Sequence, residues 1–153
     1  MRLLVVVIFC VVVGPSMGAR TMFAEKIKCS ADEATKLEDE SNKVRSWVLL
    51  HKFYLRYRTC APDDAVITQG VSRSVARLLV DQWNTLPAGA GLMDKDAGFR
   101  KFVLGGINPT VADDDLKTIK QRSQDACPAG GQGVCAEIEK AADDSLKAGT
   151  STE

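Results

Sequence analysis

DDAVITQGVSRSVARLLVDQWNTLP, residues 63–87, spaces Val71, Val75, Leu78, Leu79, Trp83 and Leu86 at steps of three and four around one adjacent pair, which is the repeat of a single helix face. Asp63 or Asp64 offers a carboxylate to the open N–H groups of the first turn, and Pro87 lacks the N–H that a continuing ladder requires. A stripe with a Trp and two adjacent leucines is more apolar surface than a lone helix leaves in water, so the neighbouring segments are expected to pack around it. Gly70 lies inside this helix at a cost of about 1 kcal/mol against Ala. It marks either the close approach of another backbone or a kink.

Upstream, Ser30 and Glu33 have the Ser-x-x-Glu spacing of a capping box. From there to Asn42 only Leu37 is strongly apolar, which predicts a solvated helical turn or two. Val44, Trp47, Val48, His51, Tyr54 and Leu55 then line one face of a core-facing helix, widened by Leu50, Phe53 and Tyr57. It ends near Cys60, and the short Ala61-Pro62-Asp63 connection predicts that it lies antiparallel to the organising helix.

Downstream, Ala88-Gly89-Ala90-Gly91 reads as a flexible connection, followed by Asp94 as the cap of a short helix through Phe99, Phe102 and Val103 that Gly105-Gly106 stops. Thr110 with Asp113 suggests a second capping box, opening a helix that carries Val111, Leu116 and Ile119 and runs to about Ala126. A last helix from about Val134 presents Ile138, Ala142 and Leu146. Strand alternation is nowhere evident, so the fold class is all-α. The expectation is a single-domain bundle of about five helices over residues 30–148, flanked by a short tail at 19–29 and a flexible one at 149–153.

Residues 1–18 read as an export signal. Arg2 gives a positive start, Leu3 to Val13 an apolar run, and Gly14-Pro15-Ser16-Met17-Gly18 a breaker and small-residue end, with the cut placed after Gly18. The apolar run is too short to span a bilayer and no second one follows, so no membrane insertion of the mature chain is expected. Cleavage removes Cys10 and leaves Cys29, Cys60, Cys127 and Cys135, an even set for an oxidising compartment, periplasmic or extracellular. Two disulfides are expected. Cys127–Cys135 closes a short Gly-rich loop and Cys29–Cys60 takes the other pair, with a bridge from Cys60 to the C-terminal pair the alternative.

Lys plus Arg and Asp plus Glu each total 20, so no global field draws nucleic acid or anionic membrane, and a partner is found by local shape. With one His and no Cys-x-x-Cys, neither a Cys/His zinc site nor a thioredoxin-like site has its residues. Asp94-Lys95-Asp96-Ala97-Gly98 resembles the start of a calcium loop, but its Gly comes one place early and Gly105 stands where the closing Glu belongs. Ser72 and Ser74 lack a nucleophile elbow, and the Gly130-Gly131-Gln132-Gly133 run is too short for a phosphate loop.

No cofactor and no catalytic residue is assigned, and three functions are weighed. The first is protein–protein binding, as an inhibitor, immunity or accessory factor would act, through Arg56, Arg58, Asp63, Asp64 and the stretch from Ala88 to Lys95. The second is carriage of a small apolar ligand in a void lined by Trp47, Phe53, Trp83, Phe99 and Phe102. The third is an enzyme that uses His51 with an acidic partner brought from another helix.

Overall fold

The computed structural model describes residues 30–60 and 65–150. Its elements are α1 (Ala31–Lys43), α2 (Trp47–Cys60), α3 (Ala65–Asp81), a 3-10 turn (Trp83–Thr85), α4 (Leu86–Met93), α5 (Ala97–Gly106), α6 (Asp113–Asp125) and α7 (Gln132–Thr150). Among the described residues the fold is all-helical, with seven α-helices where about five are expected. The difference lies in α1, a full helix rather than a turn or two, and in α4, which replaces the expected flexible connection. The expected leader, Asp63, Asp64 and the Cys29–Cys60 pairing lie outside the described residues or side chains.

Ser30 opens α1 as its spacing predicts: its Oγ accepts from the Glu33 N–H, and the Glu33 carboxylate accepts from the Ser30 N–H at 3.0 Å. These hydrogen bonds hold the Glu33 carboxyl below its ordinary range. The helix is not a solvated fragment, because Leu37, Ser41 and Val44 are buried against α3. Gly70 is a close approach and not a kink, since a Cβ there would sit 2.1 Å from Ser41 Oγ. Ser74 donates to the Ser41 carbonyl across the same crossing. Small residues at the contact let two helix backbones meet.

α3 is the element the others gather on, touching α1, α5, α6 and the 3-10 turn. Val75, Leu78 and Leu79 have no solvent exposure, each worth about 1.5–3 kcal/mol of burial. The helix stops at Asp81, short of Pro87. Trp83 reaches the core from the 3-10 turn and donates from Nε1 to the Ala126 carbonyl at 2.7 Å. Pro87 therefore starts α4 instead of ending α3, a position where its missing N–H costs nothing. The expected antiparallel pairing of α2 with α3 is not what forms: α2 lies against α1, α4 and α5. The neighbour that runs along α3 is α1.

At the other end, α6 and α7 form an antiparallel hairpin in which Lys120 reaches Asp143 and Gln124 reaches Glu139. Cys127 and Cys135 are bonded across its loop with Cα atoms 6.1 Å apart, as the sequence predicts for this pair. The expected box at Thr110 and Asp113 does not form. Thr110 donates to Asn108 Oδ1 in a turn of its own, and α6 begins after Ala112 with no side-chain cap. Three aspartates in the first turn complement the helix dipole instead. α7 continues through Gly149 to Thr150, where a tail is expected.

Candidate functional site

α2 carries the features that packing alone does not explain. Trp47 fixes its start, with the indole Nε1 donating to Thr85 Oγ1 at 3.0 Å and the ring lying over α4. A Cβ at Gly89 would stand 2.5 Å from that ring, so the Gly-rich sequence of α4 serves a flat aromatic surface. Leu50, Phe53 and Tyr54 follow on the inward side. This phase turns Val48 and Leu49 outward, where they are 55% and 46% exposed, contrary to the expected place of Val48 on the buried face. The helix begins at Trp47 and not at Val44, and with Trp47, Leu50, Phe53 and Tyr54 turned inward Val48 is left on the opposite side.

Beside this exposed pair runs an open groove of about 340 Å³ between α1 and α2, lined by Glu40, Lys43, Val44, Leu49, Lys52, Phe53 and Arg56. Its floor and walls are apolar through Val44, Leu49 and Phe53, and its rim is charged. One guanidinium nitrogen of Arg56 donates to both carboxylate oxygens of Glu40, an ion pair that spends the acid nearest the groove. A second groove of about 420 Å³ lies between α3 and the start of α6, lined by Arg73, Arg77, Asp81 and Asp115 among others; its charges are mixed.

The sequence-predicted binding residues separate. Arg56 belongs to the α1–α2 groove, whereas Arg58 places its guanidinium 5.7 Å from the centroid of the Tyr54 ring, a cation–π contact that ties it to its own helix. Asp63 and Asp64 lie outside the described residues. Within 88–95, most residues belong to α4 or the turn after it, and Asp94 stands 3.7 Å from Arg100. What sequence reasoning missed is the Val48–Leu49 face. Its signal is the run Val48-Leu49-Leu50, since a helix buries one side of three consecutive apolar residues and must expose another.

His51 does meet a carboxylate from another element: its Nε2 stands 3.4 Å from Asp96 Oδ2, both side chains 23% exposed. Asp96, and not the expected Asp94, caps α5 by accepting from the Phe99 N–H at 2.9 Å. That backbone bond first, and His51 second, lower the Asp96 pKa. The imidazole meets Phe99 edge-on at 4.7 Å and stacks near Tyr54. A hydrolytic site needs a nucleophile beside such a pair. The hydroxyl-bearing side chain against the imidazole is Tyr54, which meets it ring to ring at 6.1 Å between centroids. The pair fastens α2 to the head of α5.

The two indoles of the expected void are spent elsewhere, Trp47 on α4 and Trp83 on Ala126, while Phe53, Phe99 and Phe102 belong to one ring cluster with Tyr54 and Tyr57. Ser72 and Ser74 are buried structural hydroxyls, donating to the Thr68 and Ser41 carbonyls. Among the described residues no three of His, Cys, Asp or Glu converge in a way that could hold a metal, and no helix is long and apolar enough to cross a membrane. No known family, curated protein or solved structure matches the chain.

Proposed function

We propose that this is an exported, thiol-bridged helical protein that acts by binding another protein, and that the α1–α2 face is where it does so. The observation that carries the reading is the exposure of Val48 and Leu49 next to an apolar-floored groove, on a chain whose other large hydrophobics are buried or half-buried among the described residues. Rimmed apolar surface of this kind is spent on a partner more readily than on solvent. Export is supported by the apolar leader and by the Cys127–Cys135 bond, which persists where thiols are oxidised.

The test is affinity capture from the native compartment with wild type and Leu49→Asp side by side. A stoichiometric partner held by wild type and lost by the variant is the expected result. Equal capture by both chains would remove this face from consideration.

A further inference from the structure

We infer that the α1–α2 groove receives an acidic segment of another protein, one apolar side chain entering between Val44, Leu49 and Phe53 while flanking carboxylates meet Lys43 and Lys52. The inference rests on the protein-binding reading above and adds the chemistry of the partner. The groove rim holds Lys43, Lys52 and Arg56 against one acid, Glu40, and Arg56 and Glu40 neutralise each other. Lys43 and Lys52 make no ion pair or side-chain hydrogen bond among the described residues. The groove thus presents two uncompensated cations around an apolar floor on a chain whose formal net charge is zero. Complementary charge steers encounter and rejects wrong partners, so the fitting surface is acidic with an apolar anchor.

Two other occupants fit less well. An isologous contact with a second copy would bring Lys43 and Lys52 of one copy against those of the other, like charge on like. A membrane surface calls for an outward apolar face or a cluster of about four to eight basic residues. Here the outward apolar face is only Val48 and Leu49, the remaining apolar surface is the groove floor, and Glu40 offsets one of only three rim cations. A concavity selects a side chain, and peptide recognition by helix-lined grooves works in this way.

A displayed library of random peptides, panned against the full exported chain, tests the idea. Enriched peptides should carry Leu, Phe or Trp beside Asp or Glu. They should bind about tenfold or more weakly to Leu49→Asp, which places a charge at the anchor, and to the double variant Lys43→Glu with Lys52→Glu, whose own panning should enrich basic peptides. All three substituted positions are exposed, and circular dichroism checks that helix content is kept; should Leu49→Asp misfold, the charge reversal carries the test alone.

Enrichment of neutral or basic peptides by wild type, or equal binding by the charge-reversed protein, would overturn the acidic partner while leaving protein binding at Leu49 intact. Binding to phosphatidylglycerol vesicles that Leu49→Asp abolishes would also overturn it, as would a wild-type dimer that the same change disperses. Failure of the broader reading looks different: the captured partner would then be indifferent to Leu49→Asp.

Discussion

The α6–α7 hairpin and the α1–α2 arm are both helix pairs on the same core, yet they are held in opposite ways. In the hairpin, Leu116, Ile119, Val134, Ile138 and Ala142 are almost wholly buried. The Cys127–Cys135 bond closes the loop, and Asp143 takes both Lys120 and Lys147 on the outside. Aliphatic burial, a covalent closure and a charge cluster all favour one arrangement. In the arm, α2 is fastened by rings and single polar contacts: Phe53, Tyr54, Tyr57, Phe99 and Phe102 touch one another, Trp47 bonds to Thr85, His51 to Asp96, Arg56 to Glu40. One pair is built to persist. The other leaves Val48 and Leu49 in water although it carries as many side-chain ties, so how firmly a helix is fastened and what it exposes are separate matters.

The most severe way to break this contrast is Phe99→Ala, which removes the fully buried ring on which His51, Tyr54 and Phe102 converge. A loss of about 3–5 kcal/mol is expected by urea unfolding. A loss under about 1 kcal/mol would show that the ring cluster does not hold the arm. Next comes the covalent tie: replacing Cys127 and Cys135 together by Ser opens a link of sequence separation 8 and should cost about 2–3 kcal/mol in the chain-entropy view. Denaturation of the oxidised wild type beside the double variant measures it, and a neutral outcome would mean that aliphatic burial alone sets the hairpin.

Asp143 sharpens the comparison through pH. The hydrogen bonds from Lys120 and Lys147 lower its pKa from 3.8 to about 2, and those of Asp143 raise Lys147 above its ordinary value. A lowered carboxyl contributes its stability in full above its unfolded pKa and loses it as pH falls through the folded one, here the window from about 4 down to about 2. The raised Lys147 contributes below 10.5 and loses its share as pH rises beyond. Asp143→Asn should therefore flatten the acid limb of the midpoint-against-pH curve, and added salt should do part of the same because the cluster is at the surface. The smallest effect is expected on the free face. Val48→Ser and Leu49→Ser should change unfolding free energy by no more than about 0.5 kcal/mol while weakening capture of a partner. A large destabilisation would mean that these side chains are structural after all.

Much of the fold is legible in the residues themselves. The Ser30–Glu33 box is local and forms as spaced, and the Val75, Leu79 and Trp83 side chains are buried as the helical stripe implies. Cys127 and Cys135 are joined across a short loop, the favoured pairing, although the sequence also allowed a bridge from Cys60. Less legible is α4, since Ala88-Gly89-Ala90-Gly91 has poor helix propensity and becomes helical where Trp47 lies against Gly89. Least legible is the site. Arg56 was readable as an exposed cation, but its carboxylate partner stands 16 residues away on another helix.

The sequence by itself determined the helical class, the central place of the stripe through Val75 and Leu79, and the capping box at Ser30, because periodicity and capping act between residues near in the chain. Only the tertiary structure decided that α1 and not α2 lies on α3, that Asp96 rather than Asp94 heads α5, and that Val48 and Leu49 face water beside Lys43 and Lys52. The rotation of α2 about its axis was set by the indole seat on Gly89 and the ring contacts from α5. Helix phase is a contest between long-range contacts, and a local pattern of apolar residues that fits two phases equally well cannot settle it.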